Sequence, residues 1–323
     1  MNTKVITDNF LIGESVFIVG HRKPDLDSIA SAYAYQVYRH AKGDFNYLAI
    51  RCDTENSVTK WAFEHFDLDL PMLLKNVAGR KIVLVDHTDP EQRPLGWETA
   101  EIIEVLDHHK LKLETSVPPK ITIRPYGATC TLIASKMLGA KITITKELAG
   151  LMLSAILDDT LALRSPVTTY VDKSVAGELS AIAGIVDLGS FAKKIFDKKD
   201  SWSKMGAERL VSSDTKDFDF DDIKIRVAQV ETMDNRKIEK REKEILTAIR
   251  KISKAEGIDL YLVMLTDLLT NDCIMIAEGP KVEFLETVFD THMENKNKIY
   301  LPGVLSRKKQ VVPKLMEFFG KGS

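Results

Sequence analysis

Short apolar runs alternate with longer helical patterns over the first two-thirds of the chain. Four runs read almost continuously apolar, at residues 15–20, 47–51, 81–86 and 101–106. Such runs are typical of strands that are buried on both faces. Helical patterns separate them and continue over residues 146–158 and 172–183. Strands that alternate with helices predict an α/β domain with a mostly parallel sheet and helices on both faces.

The pattern changes after a polar, Lys- and Asp-rich stretch at residues 193–204. Residues 217–220 and 224–230 alternate between apolar and polar, as antiparallel strands with one solvated face do. Isoleucines then recur at helical spacing at positions 238, 245, 249 and 252, a further strand is predicted at 260–265, and a last helix from 311 onward. We therefore predict a smaller C-terminal α+β domain with a mixed sheet. The predicted organisation is a domain at 1–195, a linker at 196–204 and a domain at 205–323.

Composition narrows the class of protein. The 323 residues suffice for two domains, and 44% hydrophobic residues suffice for their cores. A formal net charge of −2 provides no field that would attract nucleic acid or an anionic membrane, so we expect neither as a partner. No apolar stretch has the length of a signal peptide or of a membrane span. Cys52, Cys130 and Cys273 are far apart, which predicts reduced thiols in a cytoplasmic protein.

Aspartates and histidines concentrate in four segments, each at the end of an apolar run: residues 20–28, 85–87, 106–109 and 157–160. The carboxyl ends of parallel strands meet at one edge of a sheet, so we expect these side chains to converge. Carboxylate and imidazole ligands without a thiolate favour Mn²⁺, Mg²⁺ or Co²⁺ over a structural zinc ion. The sequence therefore predicts a two-metal phosphoryl hydrolase.

Each segment also has an ordinary interpretation when it is taken alone. Asp25 and Asp27 could cap the following helix, which is as probable for that segment as metal binding. Asp86 alone could be a turn residue. The charge of the whole set favours metal: Asp25, Asp27, Asp86 and Asp159 carry about −4, which two divalent cations balance and which would otherwise cause strong repulsion.

A cationic segment, Ser306–Gln310, follows an apparent turn and opens the last predicted helix. Arg307 and Lys308 at a helix start form a typical phosphate-binding arrangement, although an isolated basic segment is more often a solvated turn. Because these cations belong to the other domain from the predicted metal ligands, we expect domain closure to complete the site.

Taken together and in this order, the motifs resemble the DHH phosphoesterase superfamily and, within it, the manganese-dependent family II inorganic pyrophosphatases. The resemblance extends over almost the whole chain, and the segment Ser306–Gln310 is its most specific part. It implies hydrolysis of pyrophosphate to two phosphates by attack of a metal-activated water at a di-metal centre between two domains. It also implies two Mn²⁺ or Co²⁺ ions per subunit, additional Mg²⁺ with the substrate, and a homodimer formed through the N-terminal domain.

The resemblance further implies a role for individual residues. One ion would be bound by His21, Asp25 and Asp86, and the second by Asp27, Asp86, His108 and Asp159, with Asp86 bridging both. His109 would contact the substrate and donate a proton to the leaving phosphate. The residues that would hold the substrate phosphates are Lys216, Arg307 and Lys308.

Four residues depart from the usual family pattern. Lys23 replaces a common Asn, Asp158 replaces a common Ser, and Thr88 and Asp89 follow His87 where Asn and Glu are common, so we expect effects on metal preference and affinity. An exopolyphosphatase or another DHH phosphoesterase is the main alternative, although the glycine-rich motif of the nuclease members is absent from the sequence. A regulatory or scaffold protein that had lost catalysis is a second alternative, but every expected ligand is present.

Overall fold

The computed structural model describes residues 15–199, 202, 205–220 and 222–320. These residues form two compact units that divide after Lys199. We call them the N-terminal and the C-terminal unit. The first four residues of the predicted linker are helical, and most of its remainder lies outside the described residues, as do residues 1–5, where no signal peptide was expected.

The N-terminal unit is a parallel sheet with helices, as the sequence predicted. Its elements are β1 (Val16–Val19), α1 (Leu26–Ala41), β2 (Tyr47–Arg51), α2 (Ser57–His65), β3 (Met72–Leu73), β4 (Lys81–Val85), β5 (Glu101–Asp107), β6 (Lys120–Ile123), α3 (Thr129–Gly139), α4 (Lys146–Asp159), α5 (Tyr170–Ala183) and α6 (Leu188–Lys199). The strand order is β3-β2-β1-β4-β5-β6, and every pairing is parallel. The chain moves outward in opposite directions from β1 and from β4, which makes the β1/β4 border a topological switch point, where ligands bind in open α/β sheets.

Apolar side chains pack on both faces of this sheet. Helix α1 contacts β1 and β2, and α3 and α4 pack against α1 in turn. On the other face, Phe17 and Val19 of β1 form a buried cluster with Val77 and with Trp97 from a short 3₁₀ helix. The strands are buried on both sides, which explains their continuous apolar sequence.

The C-terminal unit contains a mixed sheet between two layers of helices. Its elements are α7 (Ala207–Ser212), β7 (Thr215–Phe220), β8 (Ile223–Thr232), α8 (Asn235–Glu239), α9 (Glu242–Glu256), β9 (Leu260–Asp267), β10 (Asp272–Glu278), α10 (Leu285–Phe289), β11 (Met293–Asn295), β12 (Lys298–Pro302) and α11 (Val312–Phe319). The order is β11-β12-β10-β9-β8-β7, with β8 and β9 parallel and the other pairs antiparallel. One face packs on α7, α8 and α9, and the other on α10 and α11. The α+β prediction for this unit is therefore confirmed.

Among the described residues, no single helix has the length and apolar content needed to cross a membrane. The pair α5 and α6, which meet at an angle of 93°, satisfies both criteria only when the two are counted together.

Candidate metal centre

Three neighbouring strands of the N-terminal unit bring their predicted site residues to one edge of the sheet. His21 lies two residues after β1, Asp86 directly follows β4, and His108 directly follows β5. The backbone of Asp86 is left-handed, with φ of 65°, a conformation that costs a non-glycine residue about 1–2 kcal/mol. Strain of this kind is concentrated at functional sites, where it aims a side chain that could not otherwise reach its position.

Asp86 lies at the centre of the cluster and is 1% exposed. Its Oδ2 atom lies 3.5 Å from Nε2 of His21, and its Oδ1 atom lies 3.3 Å from Nε2 of His108. Oδ2 has no hydrogen-bond partner among the described residues, although it is buried. One carboxylate therefore faces two imidazoles, one on each oxygen, which is the arrangement of a ligand shared by two cations.

The predicted ligands fall into two groups, each with its ligand atoms within 4.8 Å of one another. The first group contains His21, Asp25 and Asp86, and the second contains Asp27, Asp86, His108 and Asp159. In the first group, Nε2 of His21 is 3.6 Å from Oδ1 of Asp25, and in the second, Nε2 of His108 is 3.8 Å from Oδ2 of Asp159. The structure thus brings together the same two sets that the resemblance implied.

The orientation of the two imidazoles suits metal binding. Nδ1 of His21 lies 2.9 Å from the carbonyl oxygen of Arg22, and Nδ1 of His108 lies 2.9 Å from that of Tyr126. A carbonyl only accepts, so each Nδ1 carries a proton, and each Nε2 is the atom that faces the carboxylates. Nε2 of His108 is buried and has no hydrogen-bond partner in the described part of the chain. These orphaned atoms fit a divalent cation.

Helix capping and metal binding, the two interpretations of the first motif, are compatible at Asp25. Asp25 is the N-cap of α1, because its Oδ1 accepts a hydrogen bond from the backbone N–H of Ser28 at 2.9 Å, yet it also lies beside His21. Asp27 is not a cap. It is fully buried, and its two oxygens accept from the backbone N–H groups of Thr129 and Cys130, at 2.6 and 2.9 Å, at the start of α3. The positive end of the α3 dipole therefore supports this carboxylate.

The cluster holds protons in the absence of metal. Burial, with the charge of Asp86, raises the pKa of Asp27 to about 7, and burial with neighbouring carboxylates raises the pKa of Asp159 well above its usual value. Burial opposes protonation of His108, but the nearby carboxylates of Asp86 and Asp27 outweigh this and raise its pKa to about 9. Divalent cations would replace these protons, since they neutralise the same carboxylates.

His109 differs from the other imidazoles because its side chain is 54% exposed. Its Nδ1 lies 2.9 Å from Oδ1 of Asp107, and this hydrogen bond raises the pKa of His109. The same oxygen accepts from the backbone N–H groups of His108 and His109 at 2.7 and 3.1 Å. Asp107 thus orients both histidines. No role for Asp107 was predicted from the sequence, although its place directly before the histidine pair was an available signal.

Two further residues, Thr129 and Ser28, contact the site although neither was predicted to do so from the sequence. The hydroxyl of Thr129 donates to Oδ1 of Asp86 at 3.0 Å, and the hydroxyl oxygen of Ser28 accepts from the backbone N–H of His21 at 3.1 Å. A Cβ at Gly20 would lie 1.9 Å from that same Ser28 oxygen, so glycine is required where β1 leaves the sheet. Gly20 and Ser28 flank the first motif, whereas no signal in the sequence marked Thr129.

Two of the departures from the family pattern, Lys23 and Asp158, differ in their surroundings. Lys23 is exposed and adopts a left-handed backbone, with φ of 51°. Asp158, directly before Asp159, is buried, and its Oδ1 lies 2.6 Å from Nζ of Lys199. The extra carboxylate is therefore neutralised by a lysine from α6.

The predicted phosphate-binding cations line an open cavity of about 640 Å³ in the C-terminal unit, with Gln229 and Ser306 among its other polar neighbours. Arg307 is 8% exposed, and its guanidinium donates to the backbone carbonyls of Asp214 and Val227 and to the carboxylate of Asp214, at 2.8, 3.1 and 2.8 Å.

Lys216 and Lys308, by contrast, are exposed, and neither has a carboxylate partner in the residues described. The segment that carries Arg307 and Lys308 is an ordered π-helical turn, Arg307–Val311, rather than a freely solvated one.

Family comparisons match both units. The DHH family, N-terminal domain, matches residues 15–156, and the DHHA2 domain matches residues 193–318. Fold and site therefore define a DHH protein with a DHHA2 second half. The manganese-dependent inorganic pyrophosphatase of Bacillus subtilis (strain 168) is 36% identical over 307 residues, which cover 94% of this chain and 98% of the relative. A probable manganese-dependent inorganic pyrophosphatase of Exiguobacterium sp. is 36% identical over the same shares of both chains.

A crystal structure from Methanococcus jannaschii, assigned to the family II inorganic pyrophosphatases, is 34% identical, with a TM-score of 0.60 over 94% of this chain and 99% of that one. The chain belongs to the family of the manganese-dependent inorganic pyrophosphatases.

Proposed function

We propose that this protein hydrolyses inorganic pyrophosphate to two phosphates with the help of two divalent cations. The observation that carries the proposal is the buried Asp86 carboxylate, whose oxygens face Nε2 of His21 and Nε2 of His108 at 3.5 and 3.3 Å. Two separate ligand groups on one shared carboxylate are what a two-metal phosphoryl hydrolase needs. The names of the relatives support pyrophosphate as the substrate.

One cation would be held by His21, Asp25 and Asp86, and the other by Asp27, Asp86, His108 and Asp159. This mixture of imidazole nitrogen and carboxylate oxygen suits Mn²⁺, with Co²⁺ as a substitute. When bound, the pair supplies Lewis acidity that lowers the pKa of a water molecule and aligns it for attack on phosphorus. The protein fixes the ligands in place: the helix α3 N-terminus holds Asp27, and backbone carbonyls hold the two imidazoles.

His109 is the proposed proton donor to the leaving phosphate. Its Nδ1 is bound to Asp107, so Nε2 is the atom left to face a substrate, and more than half of the side chain is accessible. The same bond raises the pKa of His109, which increases the protonated fraction near neutral pH. A protonated imidazole of this kind acts as a general acid.

The cations of the C-terminal unit are proposed to bind the phosphate oxygens, assisted by a further Mg²⁺ that accompanies the substrate. Arg307 is held in place by Asp214, so little side-chain entropy is lost when phosphate binds. Lys216 and Lys308 are exposed and supply positive charge that offsets the charge on the leaving group. We predict that these cations bind the same substrate molecule as the metal centre.

Two broader features belong to the same proposal. We expect a homodimer formed through the N-terminal domain, as the resemblance implies. We also expect a cytoplasmic enzyme, and the three buried, unpaired cysteines suit a reducing compartment. Neither nucleic acid nor a membrane is an expected partner.

The test is phosphate release by metal-stripped protein that is reloaded with Mn²⁺ and assayed with excess Mg²⁺. Pyrophosphate, tripolyphosphate, ATP and a short oligonucleotide are compared as substrates. Rapid turnover that is confined to pyrophosphate and requires Mn²⁺ or Co²⁺ is expected. If the protein hydrolyses tripolyphosphate or the oligonucleotide but not pyrophosphate, the proposed metal centre stands and the proposed substrate is wrong. The protein would then be an exopolyphosphatase or another DHH phosphoesterase.

A further inference from the structure

A single short segment, residues 126–131, holds three of the proposed metal ligands. The carbonyl of Tyr126 accepts from Nδ1 of His108, as described above. The backbone N–H groups of Thr129 and Cys130 bind the two oxygens of Asp27, and the hydroxyl of Thr129 binds Asp86. A shift of this segment would therefore move one histidine and two carboxylates together.

The segment is itself held by a carboxylate from a distant part of the chain. Asp172, in the first turn of α5, is completely buried. The backbone N–H of Gly127 donates to both of its oxygens at 2.9 Å, and the hydroxyl of Thr131 donates to Oδ1 at 2.7 Å. Asp172 also accepts from the backbone N–H and the hydroxyl of Thr169, both at 2.7 Å, which completes the capping box of α5.

The cap alone does not explain these contacts. A capping box needs only Thr169 and Asp172, because it satisfies donors at the start of one helix. The bonds to Gly127 and Thr131 cross 45 and 41 residues of sequence and add nothing to the cap. They tie the start of α5 to the segment that supports the metal ligands.

The neighbours of Gly127 leave no room for a side chain at this position. A Cβ at this position would lie 2.5 Å from Cγ2 of Thr160 and 3.2 Å from the carboxyl carbon of Asp172. Thr160 directly follows Asp159, a further proposed ligand. The segment is thus fitted between Asp172 on one side and the end of α4 on the other.

We infer that Asp172 is a positioning residue for the metal centre, which acts by holding residues 126–131 in the geometry that Asp27, Asp86 and His108 require. The inference rests on the proposed function, since it concerns the affinity of the same two-cation site. Asp172 touches neither a proposed ligand nor the substrate site, and its effect passes through Gly127 and Thr131. Loss of a group that is bonded directly to a metal ligand typically changes metal affinity by about 10–100-fold. Asp172 acts one contact further out, but on three ligands at once.

The experiment measures Mn²⁺ affinity of the full-length protein from the electron paramagnetic resonance signal of free hydrated Mn²⁺. In Asp172→Asn, an amide N–H must face the N–H of Gly127 or of Thr169, because both are obligatory donors. We expect the Mn²⁺ dissociation constant to rise about 10–100-fold. The matched control is Asp187→Asn, because Asp187 is exposed and accepts from the backbone N–H and the hydroxyl of Ser190 at the start of α6. Its dissociation constant should stay within about twofold of the wild-type value.

A second pair of variants tests the inference independently, in case Asp172→Asn has a folding defect. Thr131→Val keeps the shape of the side chain and removes only the hydroxyl that binds Asp172, so we expect a smaller rise of about tenfold. Thr131→Ser keeps the hydroxyl and should restore affinity to within about twofold of wild type. A purely structural role would lower the thermal midpoint of the metal-free variants and leave the affinity of the folded protein unchanged, so both quantities are measured.

The outcomes separate this inference from the proposed function. If the wild-type protein binds no Mn²⁺, the proposed metal centre fails. If the wild type binds Mn²⁺ and Asp172→Asn and Thr131→Val bind it equally well, the positioning role fails and the proposed function stands. If Asp172→Asn does not fold, the comparison of Thr131→Val with Thr131→Ser decides, and equal affinities in that pair overturn the inference.

Discussion

The N-terminal unit collects carboxylates and imidazoles in a buried cluster, whereas the C-terminal unit displays cations around an open cavity. In the first, Asp27 and Asp86 are almost inaccessible, and the proposed ligands come from four separate parts of the chain. In the second, Lys216 and Lys308 are exposed, and only Arg307 is anchored. Buried like charges must be neutralised permanently, so they indicate a resident cation. Exposed cations are solvated by water and can bind an anion transiently.

The largest expected effect tests whether the buried cluster acts as one unit. Asp86→Ala removes the carboxylate that faces both His21 and His108, so neither cation should be retained. We expect loss of bound Mn²⁺ and a fall in kcat/KM for pyrophosphate of about 10³-fold or more. Metal analysis and steady-state assays measure this, with Asp69→Ala, at an exposed carboxylate, as the control. Unchanged metal content and turnover would show that the two-metal assignment is wrong.

The next effect separates the anchored cation from the exposed one. Arg307→Ala should lower kcat/KM about 10²-fold through lost charge stabilisation and destabilise the unit by about 1–3 kcal/mol, because the Asp214 and Val227 carbonyls lose their donor. Lys308→Ala should weaken pyrophosphate hydrolysis without changing stability, since its side chain is exposed. Assays and urea unfolding of both variants test the contrast. Equal stability of the two variants would contradict it.

A third prediction concerns pH and applies to the buried cluster alone. In the metal-free protein, Asp27 and His108, with pKa values of about 7 and about 9, bind protons more tightly than they do in the unfolded chain. Stability of the metal-free protein should therefore fall as pH rises, through about 4–7 for Asp27 and about 6.5–9 for His108. Mn²⁺ displaces these protons, so its affinity should rise with pH through this range.

Thermal unfolding with and without Mn²⁺, and calorimetry in buffers of different ionisation enthalpy, measure this pH dependence. Mn²⁺ binding that releases no protons at pH 7 would contradict the predicted protonation of the cluster.

The smallest predicted effect is on stability and concerns the carboxylate of Asp158, beside the cluster. Lys199→Met should leave the buried Asp158 without its ion-pair partner and cost about 1 kcal/mol, a modest value because Lys199 is itself partly exposed. A double-mutant cycle with Asp158→Ser, measured by urea unfolding of the metal-free protein, isolates the pair. Additive effects of the two substitutions would mean that the 2.6 Å contact contributes nothing to stability.

Local patterns in the sequence predicted the elements that carry the strand-end ligands. Continuous apolar runs predicted β1, β4 and β5, and the chemistry of parallel sheets then predicted that His21, Asp86 and His108 would lie at one edge. Isoleucine spacing likewise predicted the helix that became α9, in which Ile245 and Ile249 are buried. Each of these signals lies within one element, and the positions of the side chains follow from the position of that element.

Other contacts in the site are not predicted by any local pattern in the sequence. Helix α3 begins after Ala128 without a side-chain cap, so no residue in the sequence marked its start, and the contacts of Thr129 and Cys130 with Asp27 could not be anticipated. The capping box of Thr169 and Asp172 is a local pattern, but its extension to Gly127 depends on a hydrogen bond across 45 residues.

By itself the sequence determined which ligand types are present, how they are spaced along the chain, and that they follow buried strands, because hydrophobic periodicity and the order of elements are local properties. Only the tertiary structure decided that Asp86 lies between two imidazoles, that Asp25 is a cap as well as a neighbour of His21, and that the helix α3 N-terminus binds Asp27. These are distances between elements that are remote in sequence, and they are set by the packing of helices on the sheet rather than by any one segment.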